Sequence, residues 1–282
     1  MRGTALREDL RKKIACVVLP TYNERENIRR LLPLIFQESH GISTHELHVL
    51  VVDDNSPDGT GDSVRSSMAI FPHLHLITGK KSGLGEAYKR GIAHAIELLR
   101  PELILQMDAD FQHSPALLPQ FIARSHEGYD LVIGSRFAEG GALEDFPWHR
   151  RAMSVVGTKL VHWFGGIPPV SDCTSGYRCI RADLIAACDF GPHSTRGYSF
   201  QSWFLCELLR HGARYAEIPL RFPARAHGES KLSFRDKIEF LRCLSELARS
   251  RRAPTAYAVA LAKQRTAHPR SLPMRVLTQS QK

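Results

Sequence analysis

A continuous apolar run, Ile14-Ala-Cys-Val-Val-Leu19, is followed by mainly apolar runs at Leu47–Val52, Leu103–Met107 and Leu131–Gly134 and by a short β-rich segment at Leu74–Thr78. Short, mainly apolar runs of this kind predict strands buried on both faces. Between them the spacing changes to a helical period. Glu24–Glu38 carries Ile28, Leu31, Leu32 and Ile35 at that spacing, and Thr60–Phe71, Glu86–Leu99 and Pro115–His126 also suit helices. Strands alternating with helices predict an α/β fold whose mostly parallel central sheet has helices on both faces. The second half is less regular. Arg151–Phe164 and Ser199–Arg210 read as helices, Ser171–Arg181 as loop and strand, and Tyr215–Phe222 as a strand interrupted by Pro219. Phe234–Arg249 reads as an amphipathic helix with Phe234, Ile238, Leu241, Leu244 and Leu247 on one apolar stripe. No internal repeat is present.

Length and composition fit an ordinary globular protein of 282 residues and exclude collagen, coiled coil and wholesale disorder. The net charge of +9 invites a nucleic-acid reading, but the charge is not spread evenly. Arg249–Lys282 holds eight basic residues and no acid, and Met1–Lys13 holds five basic and two acidic residues. The body, Ile14–Ala248, carries −2, so no nucleic-acid partner is expected of the fold itself. Three regions follow: a basic segment at 1–13, a main body at 14–250 ending in the amphipathic helix, and a basic, disordered tail at 251–282. The six cysteines form no C-x-x-C pair, which argues against a zinc ribbon and for buried reduced thiols. Met1–Lys13 lacks an apolar signal core, and Ala253–Ala262 is only about half the roughly 20 residues that a spanning helix needs. The expected location is cytoplasmic.

Three expected strand ends run into polar loops: Pro20-Thr-Tyr-Asn-Glu24, Asp53-Asp54-Asn-Ser-Pro-Asp58 and Asp108-Ala-Asp110-Phe-Gln112. Parallel strands bring such loops to one edge, where open α/β sheets bind ligands. Two aspartates flanking one residue can approach a common cation, and hard oxygen ligands suit Mg²⁺ or Mn²⁺ bound together with substrate phosphates. The alternative is that Asp53, Asp54, Asp108 and Asp110 serve as helix caps and turn formers. No G-x-G-x-x-G follows the first strand and no P-loop occurs, which disfavours a dinucleotide dehydrogenase and a P-loop nucleotidase. Gly79-Lys-Lys-Ser-Gly-Leu-Gly85 could cradle a phosphate at a helix start.

These loops, with Gly134-Ser-Arg136, Asp172-Cys-Thr-Ser-Gly-Tyr-Arg178, Gly197-Tyr-Ser-Phe-Gln201 and Arg225-Ala-His-Gly-Glu-Ser-Lys231, resemble the ordered motifs of the family 2 inverting glycosyltransferases. The longer series is similar to the dolichol-phosphate and polyprenol-phosphate mannose synthases. The resemblance spans about residues 14 to 245. It implies a GT-A fold, a GDP-mannose donor, a polyprenyl monophosphate acceptor and a Mg²⁺ or Mn²⁺ cofactor. Pro20, Tyr22 and Glu24 match the loop that holds the nucleoside, and Val52 and Asp54 match positions against the base or ribose. Asp108, Ala109 and Asp110 match the donor-binding D-x-D, with Asp110, Gln112 and Asp108 about the metal. Arg136, Arg225 and Lys231 match the cations around the two phosphates, and with Asp110 they form the implied catalytic set. His113 and His227 read as spectators. Trp203 stands where relatives commonly carry Glu, and Glu207 one turn on is a candidate substitute.

The acceptor chemistry is undemanding. A polyprenyl monophosphate is already anionic near neutral pH, so no activated Ser or Cys nucleophile is required, but cations must hold it beside the diphosphate. The lipid acceptor further implies peripheral association with the cytoplasmic face of a membrane, through the Phe234–Arg249 helix and the basic tail or through a membrane-anchoring partner protein. Transfer from UDP-glucose or another nucleotide sugar is the nearest alternative. A catalytically degenerate module that binds anionic lipid or nucleic acid is the second.

Overall fold

The computed structural model describes residues 12–144, 147–190, 195–223 and 234–250. The basic tail and the expected cations Arg225 and Lys231, with His227, lie outside the described residues. The strands are β1 (Lys13–Thr21), β2 (His45–Asp53), β3 (Leu74–Thr78), β4 (Leu103–Gln106), β5 (Leu131–Ser135), β6 (Ala142–Leu143), β7 (Arg178–Arg181), β8 (Tyr215–Pro219) and β9 (Arg221–Phe222). The helices are α1 (Arg25–Glu38), α2 (Thr60–Met68), α3 (Leu84–Leu98), α4 (Leu118–His126), α5 (Trp148–Gly165), α6 (Ala182–Ala186), α7 (Ser199–Arg210) and α8 (Phe234–Arg249).

Seven strands form one sheet in the order β3-β2-β1-β4-β7-β5-β8, and β6 and β9 form a small parallel ribbon. All pairings in the large sheet are parallel except those of β7, which runs antiparallel between β4 and β5. The alternation along β1 explains its unbroken apolar sequence. Ala15, Val17 and Leu19 enter the core under α1, α2 and α4, while Cys16 and Val18 enter the core under α3 and α7. Both faces of the strand are thus withdrawn from water, so neither set of positions can be polar. Pro20 continues β1 opposite Val52. It is tolerated there because β4 pairs with β1 only as far as Val18, so that beyond this point β1 has one neighbour.

The expected stripe on α8 is corrected by its packing. Cys243, Leu244 and Leu247 are buried, whereas Ile238 and Leu241 face outward, Leu241 at 63% exposure. The side chain of Phe234 lies outside the described set. The helix meets α5 and α7, with the Phe240 ring against Gly157 of α5, so its buried face is rotated away from the Ile238–Leu241 line. All six cysteines are buried free thiols, and burial raises their pKa values, to about 12 for Cys16. Such thiols are poor nucleophiles.

Candidate active site

The carboxyl ends of β1, β2 and β4 are adjacent, and the chain order reverses between β1 and β4. The three polar loops therefore meet at one edge, as parallel pairing requires. Each contains a non-glycine residue in the left-handed region: Asn23 at φ 58°, Asn55 at φ 52° and Phe111 at φ 65°. Asparagine accepts that conformation readily, but for phenylalanine it is strained, so the D-x-D loop is held against a local backbone preference.

The first two loops are laced together. The Asn23 amide donates to Ser56 Oγ at 3.0 Å, the Glu24 amide to Thr60 Oγ1 at 3.1 Å, and the Arg25 amide to Asp58 at 3.1 Å. Burial acts to raise the Asp58 pKa, but hydrogen bonds from Thr60 and Arg25 outweigh it and hold the carboxyl below its ordinary value. Asp53 is a turn former, accepting from Thr21 Oγ1, the Ser56 amide and Ser56 Oγ. Asp54 is buried and takes a 2.6 Å hydrogen bond from Arg90 of α3. Pro20, Val52 and Ala109 are also buried. Val52 packs beside Gly91 in the core, so a nucleoside can reach it only through the backbone. Tyr22 and Glu24 are half-buried. Lys81 Nζ sits 3.4 Å from the Tyr22 ring centre and covers one face of the ring.

In the third loop Asp108, half-buried, receives a 2.9 Å hydrogen bond from the Tyr88 hydroxyl. Burial, reinforced by the Asp108 charge and hydrogen bond, raises the Tyr88 pKa well above its ordinary value, so the phenol stays protonated as a donor. The Asp108 amide donates to His113 Nδ1 at 2.9 Å, and the buried His113 ring stacks on Tyr177 at 4.7 Å. His113 is therefore a fixed support of the loop and not a spectator. Asp110 Oδ1 accepts the Gln112 amide at 3.1 Å, and Gln112 Nε2 donates to the Pro223 carbonyl at 2.9 Å. That bond fixes the amide end of the Gln112 side chain. Two carboxylates and an amide oxygen form a hard donor set, which fits Mg²⁺ or Mn²⁺. Replacing Tyr88 by Phe removes the donor that orients Asp108 while keeping the ring. The half-saturating metal concentration for turnover is expected to rise about tenfold, with little change in melting temperature.

Arg136 follows β5 and forms a bidentate pair with the buried Asp172, Nε to Oδ2 and Nη2 to Oδ1, both at 2.7 Å. Thr174 Oγ1 accepts a further bond from Nη2 at 2.5 Å. The guanidinium also lies 5.3 Å from the Phe222 ring centre. The structure thus brings Arg136 to the same side as Gln112 and Pro223, with much of its charge already matched by Asp172. Two further sequence candidates have defined surroundings. Gly85 donates its amide to the Arg196 carbonyl at 2.7 Å, and a Cβ at Gly83 would stand 2.5 Å from that oxygen. These two glycines allow close packing against the Arg196 carbonyl. Glu207 pairs with Arg210 and His211 on its own helix, while Trp203 is buried among Phe190, Phe200 and Phe204. Glu239 of α8 holds the Gly197 amide and the Ser199 hydroxyl at the start of α7, a role that its position in the amphipathic helix did not reveal.

Residues 16–187 match the family model described as Glycosyl transferase family 2. The chain is a family 2 glycosyltransferase. This glycosyltransferase is 35% identical over 219 residues to a polyprenol monophosphomannose synthase of Mycolicibacterium smegmatis, covering 77% of this chain and 80% of that one. It is 37% identical over 224 residues to an undecaprenyl-phosphate mannosyltransferase of Micrococcus luteus, covering 77% and 86%. Its fold is shared with a mannosyltransferase of Pyrobaculum calidifontis solved with GDP-Man and Mn²⁺, at a TM-score of 0.52 and 17% identity, covering 92% and 81%. The glycosyltransferase is thus an enzyme with a GT-A-like fold, and the central sheet is mostly parallel with helices on both sides.

Proposed function

We propose that this enzyme transfers mannose from GDP-mannose to a polyprenyl monophosphate, with inversion at the sugar carbon. The observation that carries the reading is the joined acidic edge. Asp108 is fixed by Tyr88, Asp110 by the Gln112 amide, and Gln112 by Pro223. The names of the relatives support the same donor sugar and acceptor class.

Asp108, Asp110 and Gln112 would hold a divalent cation, which supplies positive charge to the nucleoside diphosphate as it leaves. The β1 and β2 loops position the nucleoside, with Tyr22 and Glu24 at the surface and Asp54 fixed beneath by Arg90. Arg136, with Arg225 and Lys231, counters the repulsion between the acceptor phosphate and the donor diphosphate. Pairing with Asp172 lets Arg136 offer a fixed guanidinium edge, so the donors need not reorganise as charge develops. The acceptor phosphate oxygen attacks the anomeric carbon directly, and no proton has to be removed from it.

A lipid acceptor requires approach to a membrane. Among the described residues no helix is long and apolar enough to cross one. Helix α5 nevertheless exposes Trp148 at 81% and Trp163 at 77%, together with Met153 and Val156, between the cations Arg151 and Lys159. The neighbouring α8 adds Ile238 and Leu241 with Lys237 and Arg242. Apolar and cationic side chains mixed on adjacent helices suit the interface of an anionic membrane. This surface supports peripheral binding on the cytoplasmic face, where the basic tail adds attraction. Trp148→Glu with Trp163→Glu is expected to reduce sedimentation with anionic vesicles and transfer to a vesicle-borne acceptor at least tenfold. Transfer to a water-soluble short-chain polyprenyl phosphate is expected to be unchanged. Equal loss with both acceptors would count against a membrane role. The activity itself is tested by incubating the protein with labelled nucleotide sugars, Mg²⁺ and a polyprenyl phosphate; absence of any lipid-linked sugar would refute it.

A further inference from the structure

At the opposite edge of the sheet, the amino-terminal parts of β2 and β3 gather a second set of metal-ligating groups. His48 Nε2 lies 2.7 Å from Glu46 Oε1, and His73 Nδ1 lies 3.6 Å from the same oxygen. One ligand atom from each of these three residues falls within 4.8 Å of the others. Glu46 and His48 are two residues apart on β2 and so share a face, and His73 immediately precedes the edge strand β3. The cluster stands about 20 Å along β2 from Asp54, by strand rise alone.

We propose that Glu46, His48 and His73 bind a borderline divalent transition cation, Zn²⁺ in the first instance, at a site separate from the acidic edge. Two imidazoles and one carboxylate suit such a cation, whereas the hard oxygen set of Asp108, Asp110 and Gln112 suits Mg²⁺ or Mn²⁺. The second shell is already in place. His48 Nδ1 is 3.0 Å from His75 Nε2, with the two rings near-parallel at 4°. When the cation replaces the proton at His48 Nε2, Nδ1 carries the proton and donates it to His75, which fixes the ring as a ligand requires. His48 is buried, while the side chains of Glu46 and His73 are 43% exposed, so a cation enters from solvent and keeps water in its remaining position. The bound ion clamps the start of β2 to the residue leading into β3, pinning the strand at the edge of the sheet.

The test is calorimetric titration of the full-length, tag-free, metal-stripped protein with Zn²⁺ in excess Mg²⁺, which occupies the acidic edge. One Zn²⁺ per chain is expected in the wild type and in Asp110→Ala. The His48→Gln/His73→Gln variant is expected to bind at least about 100-fold more weakly, and His75→Gln about tenfold more weakly. The proposal is overturned if the wild type binds no Zn²⁺, if the double variant binds as the wild type does, or if Asp110→Ala abolishes binding. Where the double variant melts early without metal, Glu46→Gln, on a half-exposed side chain, gives the same reading: weakened binding supports the site and unchanged binding removes it.

Discussion

Asp110→Ala is expected to lower the transfer rate by about 10³-fold or more at saturating donor, a loss of roughly 4 kcal/mol of transition-state stabilisation. The size follows from where the residue stands. Asp110 is a half-buried carboxylate at the end of β4, oriented by its hydrogen bond with the Gln112 amide. On the proposed role, removing it takes away a metal ligand where leaving-group charge would develop, and in any case the group that shapes the loop around Gln112. Because the residue is outside the sheet core, the melting temperature is expected to stay close to that of the wild type. Steady-state rates from labelled sugar, with a parallel thermal melt, separate lost chemistry from lost fold. A rate near wild type would remove Asp110 from the metal site.

Asp172→Ala is expected to destabilise the fold by about 3–5 kcal/mol, the largest single-site effect expected outside the apolar core. Asp172 has no solvent exposure and holds Arg136 through two 2.7 Å bonds. The alanine variant leaves a guanidinium that is 11% exposed without its counter-charge. The shift in urea midpoint, at an unchanged slope, measures the loss. The same pair sets a pH dependence. Burial acts to raise the Asp172 pKa, but the Arg136 charge and hydrogen bonds outweigh it and hold it below the usual 3.8. The unfolded chain therefore binds the proton first as the pH falls. The contribution of the pair is complete above the ordinary carboxylate value and is lost as the pH drops through the lowered native one. Stability is expected to decline below about pH 4 in the wild type, and less steeply in Asp172→Asn.

The parallel core was legible because burial on both faces leaves a plain signature. β1 and β4 carry the apolar runs Ile14–Leu19 and Leu103–Leu105, and β2 carries Leu47–Val52 broken only by His48; parallel pairing then brings their polar ends together. The convergence of Pro20–Glu24, Asp53–Asp58 and Asp108–Gln112 followed from that alone. What escaped the sequence arrives from a distance. Tyr88 and Arg90 come from α3 to Asp108 and Asp54, across 20 and 36 residues, and no local spacing announces either contact. A phenol among the apolar positions of α3 was the available sign, since a buried tyrosine hydroxyl needs a partner. The antiparallel insertion of β7 was hidden because its Arg178 looks like a surface residue. In the fold it is fully buried, donates to the Gln201 carbonyl at 2.7 Å, and burial lowers its pKa to about 10. The α8 stripe misled for a related reason. Helical spacing shows which residues share a face, but not that Ile238 and Leu241 are left uncovered when α5 takes the adjoining face.

The central claim is the identity of the donor and the acceptor together. It is tested most directly by one competition measurement: the ratio of kcat/KM for GDP-mannose against UDP-glucose, with polyprenyl phosphate as acceptor and Mg²⁺ or Mn²⁺ present. The account predicts a lipid-linked mannosyl product and a ratio of at least about 10², reflecting a nucleoside site and a sugar site that both discriminate. A ratio below one, or sugar transfer that proceeds without any polyprenyl phosphate, would contradict it.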